Sequence, residues 1–221
     1  GEGMQSAMDP LHWLMTAQIP VGPGILWREV IGNVLGLVSA AFGIKRLLWT
    51  WPVGLVANVL LFTVFLGTIF MTPQDMNLYG QAGRQVMFAC LAVYGWVTWS
   101  RQRRGHSAQV AVRPRWTTGR ERTRYVVVGV AIYAVSVALL LALHSYGPWA
   151  DAWILTGSAL AVYFTARGYL EAWLCWIAVD AVGVPLLFAA GLYPSAVLYL
   201  VYAGLAFIGF LTWLRLSRVT S

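Results

Sequence analysis

The sequence predicts an all-α integral membrane protein, with seven transmembrane helices in a parallel three-plus-one-plus-three repeat. Three observations carry that prediction: an excess of apolar residues, seven apolar runs of membrane-spanning length, and a weak internal repeat. Of the 221 residues, 59% are hydrophobic and only 10% charged, more apolar surface than a soluble core of this length can bury. The net charge of +7 is concentrated in one loop between apolar runs, which is how orientation in a bilayer is written, so no nucleic-acid partner is expected.

Gly1 to Gly3 precede the first methionine, Met4, and read as a tag remnant. The rest of 1–27 holds Pro10, Trp13, Pro20 and Pro23 but no run long enough to span, and is expected to form an outer-surface arm. The apolar runs fall at about 28–44, 50–71, 81–99, 125–143, 149–168, 172–191 and 193–214. Most approach the ~20 residues that a hydrocarbon core of ~30 Å requires.

Seven crossings place the termini on opposite sides. Lys45, Arg46, Arg101, Arg103, Arg104, Arg113, Arg115, Arg120, Arg122, Arg124, Arg167, Arg215 and Arg218 share one side, and only Arg28 and Arg84 lie on the other. The basic side faces the cytoplasm, so the N-terminus is expected outside and the C-terminus inside. The loop 100–124 is then cytoplasmic and placed to meet anionic lipid.

The repeat is read at two offsets. A shift of 125 lays Gly32 on Gly157, Gly43 on Gly168, Trp51 on Trp176 and Leu61 on Leu186; a shift of 114 lays Tyr79 on Tyr193, Gly95 on Gly209 and Trp99 on Trp213. Residues 28–99 and 149–214 then form two three-helix units joined by a linker helix, 125–143, with 215–221 as a cytoplasmic tail. An odd linker lets both units insert with the same orientation, as in small transporters that bind cargo between their halves. In this register Leu55 stands where the second half has Asp180, and the site is expected to be asymmetric.

The stretch Glu171 to Pro185 concentrates the chemistry. Trp173, Trp176 and Asp180 stand at i, i+3 and i+7, on one helical face, and Pro185 removes the hydrogen bond to the carbonyl of Ala181. Asp180 lies nine residues, about 14 Å, beyond Glu171, near mid-bilayer. A charge there costs at least ~2.5 kcal/mol, so it is expected to face a cavity or the bundle interior. Its two readings are a ligand group in a pathway and an interhelical hydrogen bond. Trp173 and Trp176 offer flat faces to an aromatic or cationic ring, or belong to an interfacial belt. Asn58, Asn33, Gln81, Gln85, Tyr199 and Tyr202 add amides and phenols from four other helices, and Tyr163 with Thr156 forms a further polar face on the fifth. Arg84 and Arg167 read as solvated helix ends.

Cys90 and Cys175 sit apart in apolar runs, and the chain carries no Walker A, GxSxG, HExxH or Cys/His cluster. Hence no metal and no cofactor is expected. An intramembrane enzyme using Asp180 remains a second function class, but it would need another acid or base at membrane depth.

The run Glu171-x-Trp173-x-x-Trp176-x-x-x-Asp180, then Gly183-Val-Pro185, Gly191-Leu-Tyr193, Tyr199-x-x-Tyr202 and Gly209-x-x-x-Trp213, resembles the PnuC family of vitamin transporters. Trp49-x-Trp51-Pro52 and Asn58 fit in the first half, and the resemblance covers about 28–214. It implies a SWEET-like fold, a homotrimer in the inner membrane, and facilitated diffusion of a vitamin that is trapped inside by phosphorylation. The nicotinamide riboside branch ends the paired-tryptophan motif in Asn where this chain has Asp180. The Asp180-x-Val-Gly-Val-Pro185 continuation resembles the riboflavin branch and implies riboflavin as cargo. The carboxylate itself suits the cationic rings of nicotinamide riboside or thiamine as well.

Overall fold

The structure, a computed structural model, describes residues 18–19, 25–65, 79–104, 112–144, 147–189, 191 and 193–219. Of the arm it describes one short antiparallel pair, β1 (Gln18–Ile19) with β2 (Ile25–Leu26). Residues 66–71 of the second apolar run, and most of the basic loop's first half, lie outside the described residues.

Among the described residues the helices are α1 (Trp27–Ile44), α2 (Thr50–Phe65), α3 (Tyr79–Arg104), α4 (Gly119–Ala142), α5 (Pro148–Arg167), α6 (Glu171–Ala189) and α7 (Tyr193–Val219). Each coincides with one apolar run. Three regions, Gly119–Ala142, Glu171–Ala189 and Ser195–Val219, are long and apolar enough to cross a membrane, and Thr50–Val64 is a shorter apolar helix. Val126, Val127, Val130, Leu139 and Leu141 of α4 are exposed, an apolar surface that water would not tolerate but lipid does.

Helix α4 begins six residues before its apolar run because Thr118 caps it. The Thr118 hydroxyl accepts from the Glu121 backbone N–H, and the Glu121 side chain accepts from the Thr118 N–H, a reciprocal capping box. Part of the expected loop is therefore helical, and α3 likewise runs on to Arg104. α6 continues through Pro185 to Ala189.

Helix α2 packs on both α1 and α3, and α6 packs in the same way on α5 and α7. α4 lies against α5, while α3 on α5 and α1 on α7 join the two groups.

The local geometry repeats between the two groups, and it resets the register. α1 ends with Arg46 in the left-handed region (φ 58°) and α5 ends with Gly168 there (φ 78°). Leu47 N–H donates to Phe42 O at 2.9 Å, as Tyr169 N–H does to Phe164 O; Arg46 N–H donates to Gly43 O at 3.1 Å, as Gly168 N–H does to Thr165 O. Both ends are Schellman caps, offset by 122 residues and not by the 125 the sequence suggested. At that offset Trp51 matches Trp173 and Asn58 matches Asp180, so Leu55 is not the counterpart of Asp180. The shift of 114 holds for α3 and α7. Trp51 stands edge-on to Trp99 (5.2 Å, 87°) as Trp173 does to Trp213 (5.4 Å, 83°), and each inner indole lies on a glycine, Gly95 or Gly209.

The two caps differ in what crosses them. Residues 112–118 form a strap: Arg115 N–H donates to Gly168 O, and Leu170 N–H to Arg115 O. A Cβ on Gly168 would meet Val112 Cγ2 at 2.5 Å and Arg113 O at 3.2 Å. Gly168→Ala is therefore expected to lower stability by at least ~1 kcal/mol, read as a fall in Tm of the purified protein. No change would show that the strap moves aside without cost. Arg46 reaches the same strap, donating from Nη1 to Val112 O at 3.2 Å, and burial pushes its pKa down. Arg115 is paired with Glu121 at 3.0 Å, and that hydrogen bond raises its pKa. Thr117 donates to Glu171 from both N–H (3.1 Å) and Oγ1 (2.6 Å), tying the strap to the start of α6.

Candidate functional site: a cavity between the two helix groups

A cavity of about 540 Å³ lies between the groups, lined by residues of α1, α2, α3, α5, α6 and α7. Its wall includes Asn33, Asn58, Gln85, Trp173, Trp176, Asp180, Tyr199 and Tyr202. Eight of the nine residues singled out from the sequence thus share one space. The side chain of Gln81 lies outside the described residues.

Tyr163, the ninth, does not line it. Its ring stacks on Tyr94 (5.7 Å, 14°) and meets Tyr125 edge-on (5.8 Å), in an aromatic cluster where α3, α4 and α5 converge. Helical phase explains this: Ser158, Val162 and Thr165 of α5 line the cavity, and Tyr163 points away from that stripe. Thr156 is also elsewhere, on an apolar cleft between α4, α5 and α6.

The two site tryptophans differ in role. Trp173 is buried, with its ring laid on Gly209 and its edge toward Trp213, so little of its face is free for stacking. Trp176 is half-buried and tilted against Phe88 at 6.2 Å. At the matching position of α2 stands Gly54, also on the wall. One half therefore offers an indole where the other has a glycine packed by Ser39, whose Oγ lies 2.9 Å from where a Gly54 Cβ would stand, and the cavity wall is asymmetric.

Hydrogen-bond accounting separates scaffold from available groups. Ser39 Oγ donates to Thr50 O (2.6 Å), Thr50 Oγ1 to Ser39 O (2.7 Å), and Thr165 Oγ1 to Ala161 O (2.8 Å). These wall hydroxyls are committed to backbone. By contrast Asp180 Oδ2, Trp51 Nε1, Trp173 Nε1 and Arg84 Nε are buried with no partner among the described residues. Each such group costs ~1–3 kcal/mol while unpaired, and all four belong to residues on the cavity wall. Asp180 is only 5% exposed, which concentrates that cost on a carboxylate.

Sequence reasoning missed Trp51, Arg84 and Glu29, all on the wall. Arg84 is not a solvated end: its guanidinium lies 5.9 Å over Phe88. Trp51 was legible from the spacing Trp51-x6-Asn58, which recurs as Trp173-x6-Asp180. Arg167 is exposed and sits over Tyr169 at 6.0 Å.

Comparison with known proteins places the chain in a family. A family model described as nicotinamide mononucleotide transporter matches residues 26–215. The riboflavin/roseoflavin transporter RibM of Streptomyces davaonensis is 37% identical over 212 residues, 94% of either chain. The nicotinamide riboside transporter PnuC of Escherichia coli is 25% identical over 232 residues, covering 90% of this chain and 91% of that one. The crystal structure of the vitamin B3 transporter PnuC shares the fold, with a TM-score of 0.71 at 22% identity over 88% of this chain and 83% of that one. The chain belongs to the nicotinamide mononucleotide transporter (PnuC) family, and is a multi-pass membrane transporter and not an enzyme.

Proposed function

We propose that this transporter carries riboflavin by facilitated diffusion, with the vitamin held in the cavity between the helix groups. The observation that carries the reading is the convergence of Trp176, Asp180, Asn58 and Gln85 on one space of about 540 Å³, within the ~300–1,000 Å³ that takes drug-sized ligands. Its likeness to RibM, named for riboflavin and roseoflavin, supports that cargo. Trp176 stacks the isoalloxazine, while Asp180, Asn58, Gln85, Tyr199, Tyr202 and Asn33 supply hydrogen bonds, and Trp173 borders them. Tyr163 is left to packing.

The same reading takes 28–99 and 149–214 as two parallel units about a linker helix, 125–143, in the SWEET-like manner, with seven crossings. The shared helix contacts and caps support it. The units move relative to one another for alternating access. The N-terminus lies outside and the C-terminus in the cytoplasm of the inner membrane, with the chain assembled as a homotrimer, and phosphorylation inside traps the cargo. FMN is excluded because its phosphate dianion would lose its hydration inside a membrane-embedded cavity that already carries the Asp180 carboxylate.

The carboxylate favours a second cargo class, the cationic rings of nicotinamide riboside or thiamine. Flavin fluorescence titration of the purified protein separates them, with uptake followed in proteoliposomes. Micromolar riboflavin binding and gradient-free, ATP-free equilibration are expected. Binding of thiamine or nicotinamide riboside without riboflavin would replace the cargo, and uptake that needs an ion gradient would sink the uniport.

A further inference from the structure

Four tryptophans are buried among the described residues: Trp51, Trp99, Trp173 and Trp213. They form two matched pairs, and their indole N–H groups divide cleanly. Trp99 Nε1 donates to Ala166 O at 3.1 Å and Trp213 Nε1 to Ile44 O at 3.2 Å, and neither lines the cavity. Trp51 and Trp173, 5% and 4% exposed, have unpartnered N–H groups and both stand on the cavity wall. An indole N–H is a donor only, and one left orphaned in a core is rare enough to need an explanation.

Two polar levels follow from the spacing. Asn58 and Asp180 lie seven residues beyond Trp51 and Trp173 on α2 and α6, about 10 Å along each helix, with Trp176 between the levels. The outer level offers acceptor and donor together, since Asp180 Oδ2 accepts and the Asn58 amide does both. The inner level offers N–H donors.

On the riboflavin reading above, we infer that the cargo lies lengthwise, its pyrimidine edge at Asp180 and Asn58 and its ribityl hydroxyls at the paired indole N–H groups of Trp51 and Trp173. Satisfying every polar group decides the direction. The pyrimidine edge presents carbonyl, N–H, carbonyl, and its central N–H would meet only donors between two indoles. At the outer level that N–H meets a carboxylate oxygen and a flanking carbonyl meets an amide N–H. Hydroxyls accept from the indoles and still donate to one another. Trp51 thereby becomes a specificity residue for the tail, a role the sequence did not suggest.

The test compares riboflavin with lumiflavin, the same ring system with a methyl in place of the ribityl chain, on wild type, Trp51→Phe and Trp173→Phe. Flavin fluorescence reads binding on the monodisperse fraction of each. Wild type is expected to prefer riboflavin, and each variant to weaken riboflavin roughly fivefold to tenfold, the worth of one hydrogen bond, leaving lumiflavin unchanged. Equal losses for both flavins, or none, overturn the inference while the cargo reading stands. Wild type that binds lumiflavin as tightly as riboflavin overturns it without recourse to any variant. Wild type that binds neither flavin removes the cargo reading and this inference with it.

Discussion

Asp180→Asn is expected to raise the Tm of the unliganded protein and to weaken riboflavin binding roughly tenfold or more, the worth of a charge-assisted hydrogen bond. The two signs have one cause. Asp180 is 5% exposed and its Oδ2 has no partner among the described residues, so the unliganded protein carries a desolvated acceptor that cargo satisfies. A neutral amide of the same shape lowers that cost. It also forfeits the strongest acceptor offered to the ring N–H. Asp180→Leu should extend both trends, with higher Tm and no measurable binding, because the apolar side chain removes the last of the polar cost. Thermal unfolding and flavin titration on the same preparations check this. A fall in Tm for both variants would falsify the ligand role and make the carboxylate an interhelical fastener.

The fold was largely legible because a bilayer imposes few solutions. Helices must be long, apolar and internally bonded, and each apolar run became one helix. What failed was fine register. The repeat was anchored on Trp51 and Trp176, an identity match supported by Gly43 over Gly168. The backbone instead pairs Gly43 with Thr165 and Arg46 with Gly168, because the cap that ends each helix is a conformation, and Arg and Gly both adopt it here. Identity misled where geometry was kept. The cavity wall was legible at Asp180 and in its amide members, since polar groups at membrane depth are costly enough to imply a use, whereas Arg84 and Glu29, close to helix starts, were missed. Tyr163 was misplaced because a tyrosine is satisfied by an aromatic cluster as readily as by a cavity, and its neighbours in that cluster come from α3 and α4, distant in sequence. Trp51 was missed because the sequence repeat laid it on Trp176, which hid its match to Trp173 seven residues before the polar position, and its idle donor shows only in the hydrogen bonds.

Trp99→Ala and Trp213→Ala are each expected to cost ~3–5 kcal/mol of stability, the range for emptying a buried aromatic site. Both indoles are fully buried, at 0% exposure. Each packs edge-on to the inner indole of its own group and donates across to the other group, Trp99 to Ala166 O and Trp213 to Ile44 O. Cavity formation and a severed bond between groups therefore fall together. The Phe variants isolate the bond: most of the packing stays, and the loss should shrink to ~1–2 kcal/mol. The pair should behave alike, because the two contacts occupy matching places in the repeat. Denaturant unfolding in detergent checks the magnitudes. The same Phe variants should keep wild-type riboflavin affinity, since neither indole lines the cavity, whereas Trp51→Phe and Trp173→Phe should weaken it roughly fivefold to tenfold. If Trp99→Phe or Trp213→Phe weakens riboflavin binding to the same extent, the division of four buried indoles into two ties and two donors is wrong, because the cavity would then depend on all four as one unit.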